Sequence, residues 1–326
     1  MRDDTVTSGP ASPGAGRCTI VDFIPRWGQR FSCWSSLSAT GCDVTEYVLS
    51  DPEGLLALPA GQQPRCAVLV LSGSSGRIAI DRARLLARHG AAALSLRWFG
   101  GPGQPPGICE IPLETFAPAL DRLASISDHL CLIGTSKGAE AALLLASRDT
   151  RIRAVAGLSP SAVVWANIGP GPQEPTAHGR SSWSSDGHPL PFVPYDPAWV
   201  PTTVSGLPSY RGLYEQSLAT FAERVPAATI PVEQITADVL LAAGGDDQVW
   251  PSARFAQQIR DRRSAHRLAT DVITVSAAGH RLFLPGEPIN LAGGMAMARG
   301  GSPAADAALG QRVWPALLQL LRLARG

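Results

Sequence analysis

Residues 66–71 read Cys-Ala-Val-Leu-Val-Leu, a run with no polar side chain on either face, and the chain returns to that pattern repeatedly. A strand that is apolar on both faces has to be covered on both, which is the condition of a parallel sheet lying between helices. Further buried strands are expected at 91–96, 130–133, 154–158, 239–243 and 272–275. Between them fall helical spacings: 78–89 ending at Gly90, 113–126 entered through Pro112, then 137–147, 251–262 and 304–323. Two extended segments, 45–50 and 54–58, flank the turn signal Asp51-Pro52. Strands alternating with helices predict the α/β class, with a mostly parallel central sheet and helices on both faces.

The segment 132–146, "LIGTSKGAEAALLLA", places one serine between two glycines where a buried strand turns into a helix. Strand, G-x-S-x-G and helix together form a nucleophile elbow, the signature of an α/β-hydrolase fold. The turn lifts the Ser136 hydroxyl off the carboxyl edge of the sheet. A serine needs a general base, and the base needs an orienting acid. In that fold the chain order is Ser, acid, His. The acid is expected in "VLLAAGGDDQVWPS", from Asp247 or its neighbour Asp246, with the Asp-x-x-x-Pro spacing favouring Asp247. The base is expected at His280, which follows the last strand in "ITVSAAGHRLFLP". Oxyanion donors are expected from the amide of Lys137 and from the loop "SGSSG", with Ser74 as the choice there. The Lys137 side chain should pair with Glu140 one turn on. Trp98 lies just past the strand 91–96 and is a candidate to line a substrate pocket.

One stretch breaks the alternation. Between 159 and 230 the chain is rich in proline, glycine and serine and carries eight aromatics, among them Trp165, Trp183 and Trp199. A connection of that length usually has a task. It is expected to be a lid-like insertion after the strand that follows the nucleophile helix, with Trp183 and Trp199 contacting an apolar acyl group. The organisation is then an irregular or flexible segment over 1–40 and one hydrolase domain over 41–326. The opening "MRDDTVTSGPASPGAG" lacks the apolar core of a leader peptide, and no later run approaches a membrane span. Lys+Arg 28 against Asp+Glu 27 leaves a scattered formal net charge of +1, with no footprint for nucleic acid or an anionic membrane. Cys18, Cys33, Cys42, Cys66, Cys109 and Cys131 are expected as free thiols in a cytoplasmic protein. His178 and His188 lack further ligand spacing and "SGSSG" lacks the phosphate-loop pattern, so neither metal nor cofactor is expected.

The string "GTSKGAEAALLLAS" resembles the nucleophile segment of the acyl-CoA thioesterase and bile acid-CoA:amino acid N-acyltransferase family, in its carboxyl-terminal, dienelactone-hydrolase-like catalytic domain. "LLARHGAAALSLRWFG", "IPLETFAPALDRL", "GGDDQVWPS", "GHRLFLPGEP" and the closing "GGSPAADAALGQRVWPALLQLL" are similar to further parts of that domain, in order. The resemblance spans roughly residues 64–326. It implies Ser136, Asp247 and His280 as a triad and a small-molecule acyl thioester as substrate, with an acyl-Ser136 intermediate passed to water or an amine. Full-length relatives carry a β-sandwich ahead of this domain, which the residues before Cys66 are too few to form. The same groups also suit carboxylester hydrolysis, a lyase that eliminates a bound ester, or a non-catalytic ligand-binding relative.

Overall fold

The computed structural model describes residues 35–37, 43–171, 179–289 and 295–324. Most of the segment 1–40 lies outside them, as do Cys18, Cys33, Cys42 and His178. Among the described residues a nine-stranded sheet carries the fold. Its strands are β1 (Ser35–Leu37), β2 (Val44–Ser50), β3 (Glu53–Pro59), β4 (Cys66–Leu71) and β5 (Ala91–Leu96). They continue as β6 (Leu130–Thr135), β7 (Ile152–Leu158), β8 (Asp238–Gly244) and β9 (Asp271–Val275). The order across the sheet is β1-β2-β3-β5-β4-β6-β7-β8-β9. Pairings from β1 to β5 are antiparallel, and those from β5 through β4 to β9 are parallel.

The helices are α1 (Ile80–Arg88), α2 (Ala117–Ala124), α3 (Lys137–Ala146), α4 (Arg211–Thr220), α5 (Ser252–Ala265) and α6 (Pro303–Leu320). The two-residue period of a strand sends alternate side chains of β4 to opposite faces. Val68 and Val70 meet Leu86 of α1 and Leu309, Val313 and Leu317 of α6. Leu69 and Leu71 join the other core, with Leu123 of α2, Leu143 of α3 and Phe255 of α5. Ser302 starts α6 by accepting the Ala305 amide, with Pro303 in the first turn, a regular helix entry. This is an α/β-hydrolase fold, as the alternation of strands and helices predicts. The expected helix over 113–126 is instead a 3-10 turn, Leu113–Phe116, that runs into α2. β1 was not expected.

The chain runs from β4 to β5 on one side and later to β6 on the other. That reversal opens a crevice at the carboxyl ends of β4 and β6, where ligands of open α/β sheets bind. Both "SGSSG" and Ser136 stand there.

The connection between β7 and β8 is far from structureless. Trp183–Ser185 and His188–Pro189 form a short hairpin, and Trp183–Ser185 also pairs with Ile111–Pro112. Thr202–Val204 and Leu207–Ser209 form a second hairpin, followed by α4 and a one-turn helix, Val225–Ala228. The first part is sealed into the core, where Trp165 and Trp183 are wholly buried. The second hairpin faces solvent with Val204 and Leu207, and Val200 ahead of it is 75% exposed.

These placements revise two expectations. Trp98 and Trp183 stack on each other with ring centroids 5.2 Å apart, beside Phe116, and are 2% and 0% exposed. They are core residues, because the insertion folds down over the end of β5 and takes both rings out of contact with solvent. Trp199 is half-buried and packs on Tyr210. No helix among the described residues is long and apolar enough to cross a membrane.

Trp183→Ala should therefore act on stability first. Loss of a buried indole costs about 3–5 kcal/mol, readable as a lower denaturant midpoint at unchanged slope. Trp199→Ala should move that midpoint far less.

Candidate active site

Ser136 sits between β6 and α3 with φ 56° and ψ −121°, outside the usual range of a non-glycine residue. Its amide donates to the Leu158 carbonyl at the end of β7, at 2.9 Å, which ties the turn to the neighbouring strand. The flanking glycines are required by contact. A Cβ on Gly134 would lie 2.1 Å from the Gly138 oxygen, and one on Gly138 would lie 2.3 Å from the Leu71 oxygen. The helix ladder begins with the Ala139 amide on the Ser136 carbonyl at 2.8 Å. The amide of Lys137 precedes that ladder, and the positive end of the α3 dipole lies at the serine. Gly73 packs directly on it: a Cβ there would be 3.0 Å from Ser136 Cβ and 3.5 Å from Ser136 Oγ. Ser74, next in that loop, is exposed.

His280 and Asp247 meet at the carboxyl ends of β8 and β9. His280 Nδ1 lies 2.8 Å from Asp247 Oδ2. An ionised carboxylate only accepts, so Nδ1 carries the proton and Nε2 is left as the acceptor. Asp247 is wholly buried and takes three more donors. These are the Ser252 hydroxyl at 2.6 Å and the amides of Val249 and Trp250 at 2.9 and 3.2 Å. That many donors hold the buried carboxylate in one orientation. Asp246 turns outward and accepts from the Gly301 amide and Gln248 Nε2, both at 2.8 Å. Of the two candidate acids, only Asp247 touches the histidine.

The Lys137 side chain points away from the serine into the core. Its Nζ donates to both Glu140 oxygens at 2.8 Å, and both side chains are 0% exposed. Glu140 Oε1 also accepts from Trp183 Nε1 at 2.8 Å and from the Trp165 amide at 3.3 Å. Burial pushes the Lys137 amine below its ordinary pKa and the Glu140 carboxyl above its own, and each charge opposes the shift of the other. The pair expected from the sequence thus also fastens the insertion to the nucleophile helix.

Several supporting residues carried no sequence signal. The Ser159 hydroxyl donates to the His280 carbonyl at 2.9 Å, the Gly279 amide donates to Asp306 Oδ1 at 2.7 Å, and the His280 amide donates to the Arg299 carbonyl at 2.8 Å. Ser252, five residues past Asp247, was readable only as a helix-start serine. A cleft of about 380 Å³ lies between the insertion and α5, lined by Ala162, Val225, Ile230 and Ile259 among others. Neither Ser136 nor His280 lines it. Among the described residues no group of three or more His, Cys, Asp or Glu is placed to hold a metal.

The family described as "BAAT / Acyl-CoA thioester hydrolase C terminal" matches residues 111–324. The chain is 28% identical over 269 residues to human acyl-coenzyme A thioesterase 6, covering 79% of this chain and 60% of that protein. It is 27% identical over 283 residues to mouse acyl-coenzyme A amino acid N-acyltransferase 1, covering 82% and 62%. The chain thus spans about 60% of the length of the curated relatives it matches. A solved dienelactone hydrolase-like promiscuous phosphotriesterase from metagenomic libraries is similar at TM-score 0.47 and 17% identity, covering 89% of this chain and 97% of that one.

The two aspartates are separable by experiment. Asp247→Asn should lower turnover by about four orders of magnitude, as loss of the correct histidine tautomer does. Asp246→Asn should leave turnover close to wild type. Steady-state kinetics on one activated ester ranks them, and the reverse order would move the acid to Asp246.

Proposed function

The chain belongs to the BAAT / acyl-CoA thioester hydrolase C-terminal family, and from that premise we propose that it transfers acyl groups from thioesters through an acyl-Ser136 intermediate. The observation that carries the reading is the buried Asp247–His280 pair at the same sheet edge as a serine on a strained, glycine-flanked turn. In the first step His280 Nε2 takes the hydroxyl proton as Ser136 Oγ attacks the thioester carbonyl. The C–O bond forms, and the developing oxyanion is met by the Lys137 amide and by the 72–76 loop, where Ser74 is our choice of donor. Collapse breaks the C–S bond, and the thiol leaves with the proton that His280 returns. In the second step the same nitrogen takes a proton from water or an amine as it attacks the acyl carbonyl. Collapse breaks the bond to Ser136 Oγ, which receives that proton back, and the acyl group leaves on the acceptor.

Both acceptors have named relatives, a thioesterase and an amino acid N-acyltransferase. The choice between them rests on what reaches the acyl-serine. Trp199 is our remaining aromatic candidate for contact with the acyl group. Cys66, Cys109 and Cys131 are buried free thiols, which supports a reducing setting such as the cytoplasm.

A serine-directed fluorophosphonate should add one label to the native protein and none to Ser136→Ala. Intact mass after mixing with acyl-CoA thioesters and matched carboxylic esters should show an acyl adduct on the same residue, faster with the thioesters. Equal labelling of both proteins would overturn the nucleophile, and adducts from esters alone would make the enzyme a carboxylesterase.

A further inference from the structure

The nucleophile and the base come from strands that do not touch. Ser136 follows β6 and His280 follows β9, with β7 and β8 between them in the sheet. The ladder reaches from one to the other only through β7 and β8. Side chains that bridge the sheet edge, the Ser159 hydroxyl on the His280 carbonyl among them, add to the sheet in setting the spacing of the two loops.

Arg82, on α1, is placed to do this. Its side chain is 12% exposed, and that of its partner Glu287, on the loop beyond His280, is 7% exposed. Nε and Nη2 donate to the two Glu287 oxygens at 2.5 and 2.9 Å. Nη1 donates to the Thr135 hydroxyl at 3.0 Å, on the residue just before the serine. Nη2 also donates to the Leu282 carbonyl at 3.3 Å, two residues past the histidine. Glu287 Oε2 in turn accepts the Leu284 amide at 2.9 Å, so the base loop is held from both sides of the ion pair. One planar guanidinium therefore touches the nucleophile turn and the base loop at once.

We infer that Arg82 is a positioning residue for the proposed acyl transfer, its rigid fork setting the distance between Ser136 and His280 through Thr135 and Leu282. The inference rests on the reading of Ser136 as nucleophile and His280 as base. Glu287 neutralises the charge and orients the fork, which a guanidinium can share among several acceptors while an ammonium cannot hold the same plane. Small displacements of a reacting pair are expensive in rate, a misplacement of about 1 Å costing on the order of a hundredfold.

The test uses the fluorophosphonate label, read as both a rate constant and a final stoichiometry. Arg82→Lys keeps a cation beside Glu287 but loses the fork. Thr135→Val removes only the hydroxyl contact and guards against an Arg82→Lys protein that fails to fold. Arg82→Lys should slow labelling on the order of ten- to hundredfold, and Thr135→Val by a smaller factor. Both should still reach one label per chain, and KM for a thioester should stay near wild type. A role in stability alone would lower the labelled fraction and leave the rate constant of the folded fraction unchanged. Wild-type labelling rates in both variants, or in Thr135→Val where Arg82→Lys does not fold, would overturn the inference alone. A native protein that takes no label at Ser136 would overturn the functional reading and the inference with it.

Discussion

Lys137 and Glu140 bury a positive and a negative charge at 0% exposure in the first turns of α3. Taking each ion out of water costs several kcal/mol, and the pair survives only if every remaining lone pair and proton finds a partner. Glu140 meets that demand with donors from outside its own helix, the Trp165 amide and the Trp183 indole. The insertion is therefore a condition for burying α3 at all. It supplies the groups that make a charged helix start tolerable in the core. Trp183 in turn carries Trp98 and Phe116 with it, which fixes the end of β5 and the entry to α2.

The same economy of satisfied groups runs through the sheet edge that carries the candidate site. Asp247 is held by four donors and Glu287 by the Arg82 fork and the Leu284 amide. The carbonyl and amide of His280 are both bonded, to Ser159 and Arg299. The elements being aligned are distant in sequence: Arg82 and Glu287 are 205 residues apart and Ser159 and His280 are 121 apart. Preorganised dipoles of this kind serve a reaction that develops charge, since nothing has to reorient as the charge appears.

Much of this was legible in the sequence where the pattern is local. The doubly apolar run 66–71 and the run 91–96 became β4 and β5 with the same bounds. The one polar residue in them, Ser95, is buried with its hydroxyl donating to the Val70 carbonyl at 3.0 Å and accepting the Ala79 amide at 2.9 Å. The turn at Ser136 was legible because backbone contacts under 2.5 Å leave only glycine at Gly134 and Gly138. That Asp247 and His280 would meet was legible from chain order and from the scarcity of histidines. The burial of Trp98 and Trp183 was not decidable from the sequence, for a physical reason. A large aromatic at a sheet edge has the same local pattern whether it faces a pocket or a covering segment, and the cover here comes from an irregular stretch without periodicity. Arg82, Ser159 and Asp306 were invisible because each acts through a partner set by where a remote loop lands.

The two parts of the insertion are tied to the rest of the fold in different ways. The part carrying Trp165 and Trp183 is bound to Glu140, so a change there that removes the indole or shifts the Trp165 amide leaves a buried carboxylate short of a donor. The hairpin of Thr202–Val204 and Leu207–Ser209 carries exposed Val204 and Leu207 and rests on the acid loop by the Ser209 hydroxyl and the Tyr210 amide, both on the Gln248 carbonyl. The hairpin is thus held to the Asp247 loop through one buried hydroxyl, Ser209, and a backbone amide, where the first part is held to α3 through a buried carboxylate.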